Sequence, residues 1–406
     1  MEIFNSMINK PIYIDHASTT PLDAEVLNKM CPYFTEISGN PNSQHYFGRE
    51  SVKAVDEARD EIARLIGAKP SEIYFTSGGT ESDNWAIKGI AQAYSNKGKH
   101  LIISKIEHPA LLKTAKELEK QGYELTYLDV NANGIVEVET LKNAIRPDTI
   151  FIGIMMANNE VGTIQPIKEL SLIAKQKGIP FFTDAVQAVG VLDVNVVDLG
   201  VDMLSCSAHK FYGPKGVGFL YIRSGLKIAP LITGGEQERN RRGGTTNVPA
   251  VVGMAEALKL AVRDKEKNNE YVKSLRDAFI DGVEKNIPYV KLNGDRVKRL
   301  PANADFSFEY IEGESILFSL DLAGIAVSSG SACSSGSLEP SHVLLAMGVE
   351  EALAHGSIRF TFGKRNTMEE VKYTIEVLSG AVKRLRAMSP LFNEQGEIKE
   401  CFTMKR

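Results

Sequence analysis

The feature that most constrains the fold is a regular alternation, from about residue 50 to residue 260, of short apolar runs with longer segments of helical periodicity. Short apolar runs bounded by turns are typical of buried strands. Strands separated by helices form a mostly parallel sheet covered on both faces, and ligands then bind at the carboxyl ends of the strands. We therefore expect an α/β fold with strands near 73–75, 101–104, 124–128, 150–156, 180–183 and 203–205, and helices near 51–66, 81–94, 109–120 and 167–177.

The second part of the chain has a different pattern. A long helical segment over 248–283 is followed by a few strand-like runs, at 304–310, 325–328 and 357–361. A chain of 406 residues is also too long for one ordinary core. These features predict a large domain over residues 17–259 and a smaller α+β domain made of residues 1–16 and 260–406, with the domain change near residue 260.

Composition excludes several classes of function. The formal net charge of -4 and the pI near 6.1 provide no basic field for nucleic acid. The longest apolar runs, such as 150–157, are far shorter than the roughly 20 residues of a membrane span. The four cysteines form no CxxC pair, and the first residues match no targeting pattern. We therefore predict a cytoplasmic protein that binds neither membranes nor nucleic acid.

Residues 77–81, Ser-Gly-Gly-Thr-Glu, stand between a predicted strand and a predicted helix. Such a turn presents backbone N–H groups and a hydroxyl at a helix N-terminus, which is a site suited to anions. The sequence matches neither GxGxxG nor GxxxxGK[ST], so it does not favour a dinucleotide or a P-loop. Taken alone it is more often an ordinary turn or a nucleotide site.

Two further residues suggest pyridoxal 5'-phosphate (PLP). Asp184 ends a predicted buried strand, and Lys210 follows in the stretch Ser-Ala-His-Lys at 207–210. A carboxylate beside the pyridine nitrogen keeps it protonated, and a lysine amine forms a Schiff base with the cofactor. Each residue alone is better explained as a helix cap or a surface lysine. Together, and downstream of an anion site, they favour PLP.

One of the cysteines has unusual neighbours. Cys333 lies in a run of serines and glycines, 328–337, that offers no apolar partners for burial. Cysteines are mostly buried and behave as small apolar residues, and we assign that role to Cys31 and Cys206. A thiol in such a polar loop can instead meet a substrate.

With these motifs the chain resembles the cysteine desulfurases of the NifS/IscS type, which are class V, fold-type I PLP enzymes. The resemblance extends over nearly the whole chain and includes the longer of the two catalytic-loop types. Its motifs are at 15–21, 39–41, 77–84, 107–110, 158–162, 184–187, 207–210, 213–216, 234–238, 242–245, 328–344 and 357–359.

The resemblance implies a role for each matching residue. Lys210, Cys333 and His108 are the catalytic residues, and His108 also stacks on the cofactor. Arg359 and Asn159 hold the substrate carboxylate, which suits the planar guanidinium of arginine. The cofactor contacts are Gly79, Thr80, His108, Asn159, Asp184, Gln187, Ser207, His209, Lys210 and, from the partner subunit of a homodimer, Thr245.

The implied reaction converts L-cysteine to L-alanine. Lys210 removes the alpha proton, Asp184 keeps the ring nitrogen protonated, and the thiolate of Cys333 attacks the substrate sulfur, which leaves a persulfide. The sulfur would pass to an iron-sulfur scaffold or another acceptor protein, in general cluster assembly, nitrogenase maturation or tRNA thiolation. No intrinsic metal site is expected, although Cys333 can transiently ligate an iron-sulfur cluster.

Three alternatives remain at this stage. A class V aminotransferase or a selenocysteine lyase would share Lys210, Asp184 and Arg359, but an aminotransferase would not need Cys333 and the lyase would discriminate against cysteine. A non-enzymatic scaffold could keep the fold for interactions alone. The chain also departs from the family at its end, because residues 394–406 lack the acidic and aromatic segment with which housekeeping members dock their scaffold protein.

Overall fold

The computed structural model describes residues 11–329, 339–389 and 392. Within this part of the chain, seven strands form a central sheet in the order β2-β8-β7-β6-β5-β3-β4. The strands are β2 (Ile73–Thr76), β3 (His100–Ser104), β4 (Glu124–Leu128), β5 (Thr149–Gly153), β6 (Phe181–Asp184), β7 (Met203–Ser207) and β8 (Gly218–Ile222). All neighbours pair in parallel except β8, which is antiparallel to both β2 and β7. The predicted mostly parallel sheet is confirmed.

Helices cover both faces of this sheet, which is why its central strands are buried along their whole length. Val55 and Ile62 of one helix and Leu258 of another pack on one face, while Trp85 and Leu111 pack on the other. The helices of this region are α1 (Ala24–Met30), α2 (Pro32–Thr35), α3 (Tyr46–Ile66), α4 (Gly79–Ala93), α5 (Pro109–Lys120), α6 (Val138–Ala144), α7 (Ile167–Lys177), α8 (Val196–Leu199), the short turn α9 (Gln237–Asn240) and α10 (Val248–Arg263).

A second core lies in the C-terminal part. Strands β9 (Val290–Asn293), β10 (Asn303–Phe308) and β12 (Ser357–Thr361) form an antiparallel sheet in the order β12-β10-β9, and β1 (Ile12–Tyr13) pairs in parallel with β11 (Ile325–Ala326). The helices here are α11 (Lys265–Asn286), α12 (Gly313–Leu322), α13 (His342–Ala346), α14 (Glu351–His355) and α15 (Met368–Ala387). Ile12 and Ile14 pack into this second core with Phe279, Phe306 and Phe360. Their position supports the division into 17–259 and the remainder, which stays our proposal.

The long helix expected over 248–283 is two helices. The backbone of Asp264 leaves the helical region (φ -101°, ψ 9°), so α10 ends at Arg263 and α11 begins at Lys265. The two helices bury different faces, because Leu258 packs against the central sheet whereas Phe279 packs in the second core. A single straight helix could not serve both cores.

Candidate active site

A cavity of about 360 Å³ lies at the carboxyl ends of the parallel strands, where ligands bind in folds of this kind. Its walls come from both parts of the chain, since Arg359 of β12 faces residues that follow the strands of the central sheet. The lining residues are Ala17, Ser18, Gly79, Thr80, Asp83, His108, Met155, Ala157, Asn159, Asp184, Val186, Gln187, Ser207, His209, Lys210 and Arg359. The predicted site residues among the described ones thus line one cavity, with the exception of Thr245.

Lys210 and Asp184 face the cavity from neighbouring strand ends. Lys210 is in the 3₁₀ turn that follows β7, and its Nζ donates to the carbonyl oxygens of Ala17 (2.5 Å) and Ser18 (2.8 Å). Asp184 ends β6, and its Oδ1 accepts from the backbone N–H of Val186 (2.9 Å). Burial raises the pKa of Asp184, while the nearby charges of His108 and Lys210 act in the opposite direction. A cationic ring bound beside Asp184 would favour its ionised form.

His108 is the N-cap of α5, and its Nδ1 accepts the backbone N–H of Ala110 (3.1 Å). This bond assigns the ring proton to Nε2 in the neutral imidazole. Burial lowers the pKa of His108, so the neutral form is favoured. His108 therefore caps the helix, and the same ring also lines the cavity.

The N-terminus of α4 forms the anion site expected at residues 77–81. Its N-cap, Gly78 (φ +148°), provides no side-chain cap, so the first N–H groups of the helix remain open to a ligand. A Cβ on Gly79 would lie 2.7 Å from Cγ2 of Val186, so this close approach requires glycine. An adjoining cavity of about 330 Å³ is lined by Gly78, Gly79, Thr80, Ser207, His209, Lys215 and their neighbours.

His209 and Gln187 are held by hydrogen bonds at the edges of the site. His209 Nδ1 lies 3.1 Å from Thr19 Oγ1, and burial together with the charges of Lys210 and Lys215 lowers the pKa of His209 to about 4. Gln187 Nε2 donates to the carbonyl of Ala17 (3.0 Å). His209 is therefore neutral near pH 7 and can serve a ligand only as a hydrogen-bonding group.

Arg359 is buried and held from three directions. Its Nη1 donates to the carbonyl of Asn159 (2.8 Å), and its Nη2 donates to Asp15 Oδ1 (3.0 Å) and Ser18 Oγ (2.8 Å). Its Nε has no hydrogen-bond partner among the described residues. Asp15 and Ser18 orient the guanidinium, and sequence reasoning assigned neither of them a role although both lie in the motif at 15–21.

Asp83 is a third residue that sequence reasoning missed. It faces the cavity from α4, is buried, and its Oδ1 lies 2.7 Å from Ser205 Oγ. Its position three residues after Thr80, on the buried face of a predicted helix, was the available signal. A carboxylate in that position is unusual in a core.

The cysteines and Thr245 differ in their exposure to solvent. Cys206 is buried, as expected, and burial raises the pKa of its thiol well above the ordinary value. Cys31 is exposed between α1 and α2, so its expected burial is wrong. Thr245 is exposed and does not line the cavity of its own chain. Cys333 and Cys401 lie outside the described residues.

Comparison with known proteins agrees with this geometry. The family model described as aminotransferase class-V matches residues 12–374. The cysteine desulfurase IscS of Dictyoglomus turgidum is 58% identical over 387 residues, which cover 95% of this chain and 98% of that protein. The chain belongs to the IscS-type cysteine desulfurases. A second member of the family, from Methanosarcina thermophila, is 54% identical over 94% of this chain and 95% of that protein.

Solved structures place the fold in the same family. A NifS-like protein superimposes with a TM-score of 0.87 at 39% identity, over 92% of this chain and 100% of that one. The structure titled SspA in complex with cysteine has a TM-score of 0.78 at 36% identity, over 88% and 100% of the two chains. The fold-type I assignment is thus confirmed. No described helix has the length and apolarity that crossing a membrane requires.

Proposed function

We propose that this cysteine desulfurase converts L-cysteine to L-alanine and takes the sulfur onto Cys333, with PLP held on Lys210. The observation that supports this most is the single cavity shared by Lys210, Asp184, His108 and Arg359. An amine, a carboxyl group, an imidazole and a guanidinium are the groups needed to hold an amino acid against PLP.

The residues of the cavity fit PLP. The open N-terminus of α4, with Thr80 and Ser207, suits the phosphate, and Asp184 suits the pyridine nitrogen. Gln187 would meet the ring hydroxyl, and His108 the ring face. PLP, when bound, would supply an electron sink for the electron pair left on the alpha carbon of the substrate.

The protein groups would position the substrate and move its alpha proton. Arg359 would bind the carboxylate of L-cysteine through N–H groups that its contacts with Asp15, Ser18 and Asn159 leave available. Lys210 Nζ would accept the alpha proton, since its amine faces the same cavity. In its neutral form His108 would present Nε2–H to the cavity as a hydrogen-bond donor, because Nδ1 accepts the N–H of Ala110.

Sulfur transfer would then exchange one bond for another. The thiolate of Cys333 attacks the substrate sulfur, an S–S bond forms, the substrate C–S bond breaks, and its electron pair remains on the carbon that takes a proton to become the methyl group of alanine. The deeply buried thiol of Cys206 is unsuited to this step because burial raises its pKa. Ser328 lies beside β12 and exchanges two backbone hydrogen bonds with Arg359. Ser328 is five residues before Cys333, so the chain lies near the proposed substrate position shortly before this cysteine.

The proposal includes a homodimer in the cytoplasm. Thr245 is exposed, as a residue that completes the partner's phosphate site would be in a single chain. The persulfide would pass to an iron-sulfur scaffold or another acceptor protein. The transient iron-sulfur ligation by Cys333 stays a prediction.

The test is L-alanine formation from L-cysteine under reductant by the wild-type protein, Cys333→Ala and the control Cys31→Ala. Loss of an attacking nucleophile should lower turnover by about 10⁴-fold or more, while the control keeps wild-type turnover. An aminotransferase would form no L-alanine from L-cysteine in any of the three proteins, because transamination leaves the C–S bond intact, and a selenocysteine lyase would leave L-cysteine unreacted. Either result would overturn the proposal.

A further inference from the structure

Two carboxyl groups from different elements flank one hydroxyl group beneath the cavity. Ser205 Oγ on β7 lies 2.7 Å from Asp83 Oδ1 on α4, and the same hydroxyl lies 3.5 Å from Asp184 Oδ1 on β6. Ser205 is fully buried, and Asp83 and Asp184 are 1% and 6% exposed. One hydroxyl proton can be donated to only one carboxyl group at a time, so both contacts can be hydrogen bonds only if one of the two carboxyl groups carries a proton.

Two ionised carboxylates that contact the same buried hydroxyl would repel each other strongly, because water does not screen their charges. Asp184 has compensation: it accepts the N–H of Val186, and the positive charge of Lys210 favours its ionised form. Asp83 lacks such a cation: apart from the Ser205 hydroxyl, the groups among the described residues that act on its charge are Asp184 and the buried Glu107, both acidic. The second proton therefore belongs on Asp83.

We propose that Asp83 is a positioning residue that remains protonated and, through the Ser205 hydroxyl, directs a hydrogen bond onto Asp184. A serine hydroxyl accepts one hydrogen bond and donates another, so the chain Asp83 O–H to Ser205 O–H to Asp184 is complete. It holds Asp184 as an oriented anion facing the pyridine nitrogen. The inference rests on the proposed PLP site, but its central statement concerns the protein without cofactor.

The first test measures urea unfolding of the full-length, cofactor-free chain between about pH 5.5 and pH 7.5. The unfolded chain ionises Asp83 near 3.8 while the folded chain keeps the proton, so rising pH destabilises the wild-type protein relative to Asp83→Asn. The ratio of the two unfolding constants should change by up to about tenfold per pH unit. The control Asp60→Asn, on the exposed face of α3, should show a ratio that varies much less with pH. A pH-independent ratio for Asp83→Asn would overturn the proposal.

The second test measures PLP affinity by absorbance titration. Asp83→Ala and Ser205→Ala interrupt the hydrogen-bond chain and should weaken binding about tenfold, the equivalent of one hydrogen bond. Asp83→Asn should restore the affinity that Asp83→Ala loses, because its amide N–H also donates to Ser205. If Asp83→Asn binds PLP as weakly as Asp83→Ala, Asp83 acts as an anion and the proposal is wrong. If Asp83→Ala does not fold, the PLP affinities of Ser205→Ala and Asp83→Asn give the same comparison. Neither test depends on sulfur transfer, so the desulfurase proposal can fail while this one stands.

Discussion

Replacing Arg359 by lysine tests how the cavity recognises an amino acid. A guanidinium has five N–H donors, and the contacts with Asn159, Asp15 and Ser18 account for three of them. The buried Nε has no partner among the described residues. The guanidinium is thus already oriented and lines the cavity, so a substrate carboxylate can receive a charge-assisted hydrogen bond from a donor that these contacts leave open.

Lysine keeps the positive charge beside Asp15 but has only three donors on one nitrogen. We expect Arg359→Lys to fold and bind PLP while losing at least one hydrogen bond to the substrate carboxylate. Such a bond contributes about 1.5–3 kcal/mol, so kcat/KM for L-cysteine should fall about 10- to 150-fold, mainly through KM. Steady-state alanine release over a range of L-cysteine concentrations measures the effect.

Arg386→Lys is the matched control. Arg386 is also buried and donates to the carbonyl oxygens of Pro288, Tyr289 and Glu309, but it does not line the cavity. It should lower the stability of the fold and leave the KM for L-cysteine unchanged. If Arg359→Lys also keeps kcat/KM within about twofold of the wild-type value, Arg359 does not bind the carboxylate and its role is structural.

Three further predictions concern other parts of the site. Lys210→Ala should lose the visible absorbance of bound PLP and the borohydride-reducible lysine adduct, and a surviving adduct would exclude Lys210 as its site. Thr245→Ala should weaken PLP retention in dialysis without changing the circular dichroism spectrum; a fully active monomer in sedimentation would contradict a shared site. Glu160, buried near Arg359 and Asp305, has its pKa raised by burial to about 7 from 4.5, so the fold loses stability as pH rises between these values. The unfolding free energy of Glu160→Gln, relative to that of the wild-type protein, should therefore rise by up to about 3 kcal/mol as the pH rises from about 4 to about 8. Denaturant titrations that show the same difference at every pH would refute the assignment.

Sequence periodicity predicted the longer helices and the parallel strands of the large domain, but it missed strand β8 and the break between α10 and α11. The helix over 109–120 has the predicted limits, because its apolar spacing matches its burial, and the edge strand over 124–128 also has the predicted limits. Strand β8 was missed although it is fully buried; it pairs with β7, which precedes it closely, and with β2, which is distant in sequence. The break at Asp264 was also missed, since only the presence of two cores requires it.

The same difference applies to the site. Asp184 and Lys210 could be predicted because each lies at a strand end within a recognisable motif. The contacts of Asp15 and Asp83 could not: the position of Asp83 on a buried helix face was a signal that it matters, but the sequence does not show that Asp15 would hold Arg359 or that Asp83 would share Ser205 with Asp184. The exposure of Cys31 depends on how two short helices meet, which local composition does not specify.

The most direct test of the central claim is to locate the persulfide after a single turnover with L-cysteine. The wild-type protein, Cys333→Ala and Cys401→Ala would be alkylated without reductant and mapped by peptide mass spectrometry. We predict one added sulfur on Cys333 in the wild-type protein and in Cys401→Ala, and none on any cysteine of Cys333→Ala. A persulfide found only on Cys401, or one that persists elsewhere in Cys333→Ala, would contradict the account.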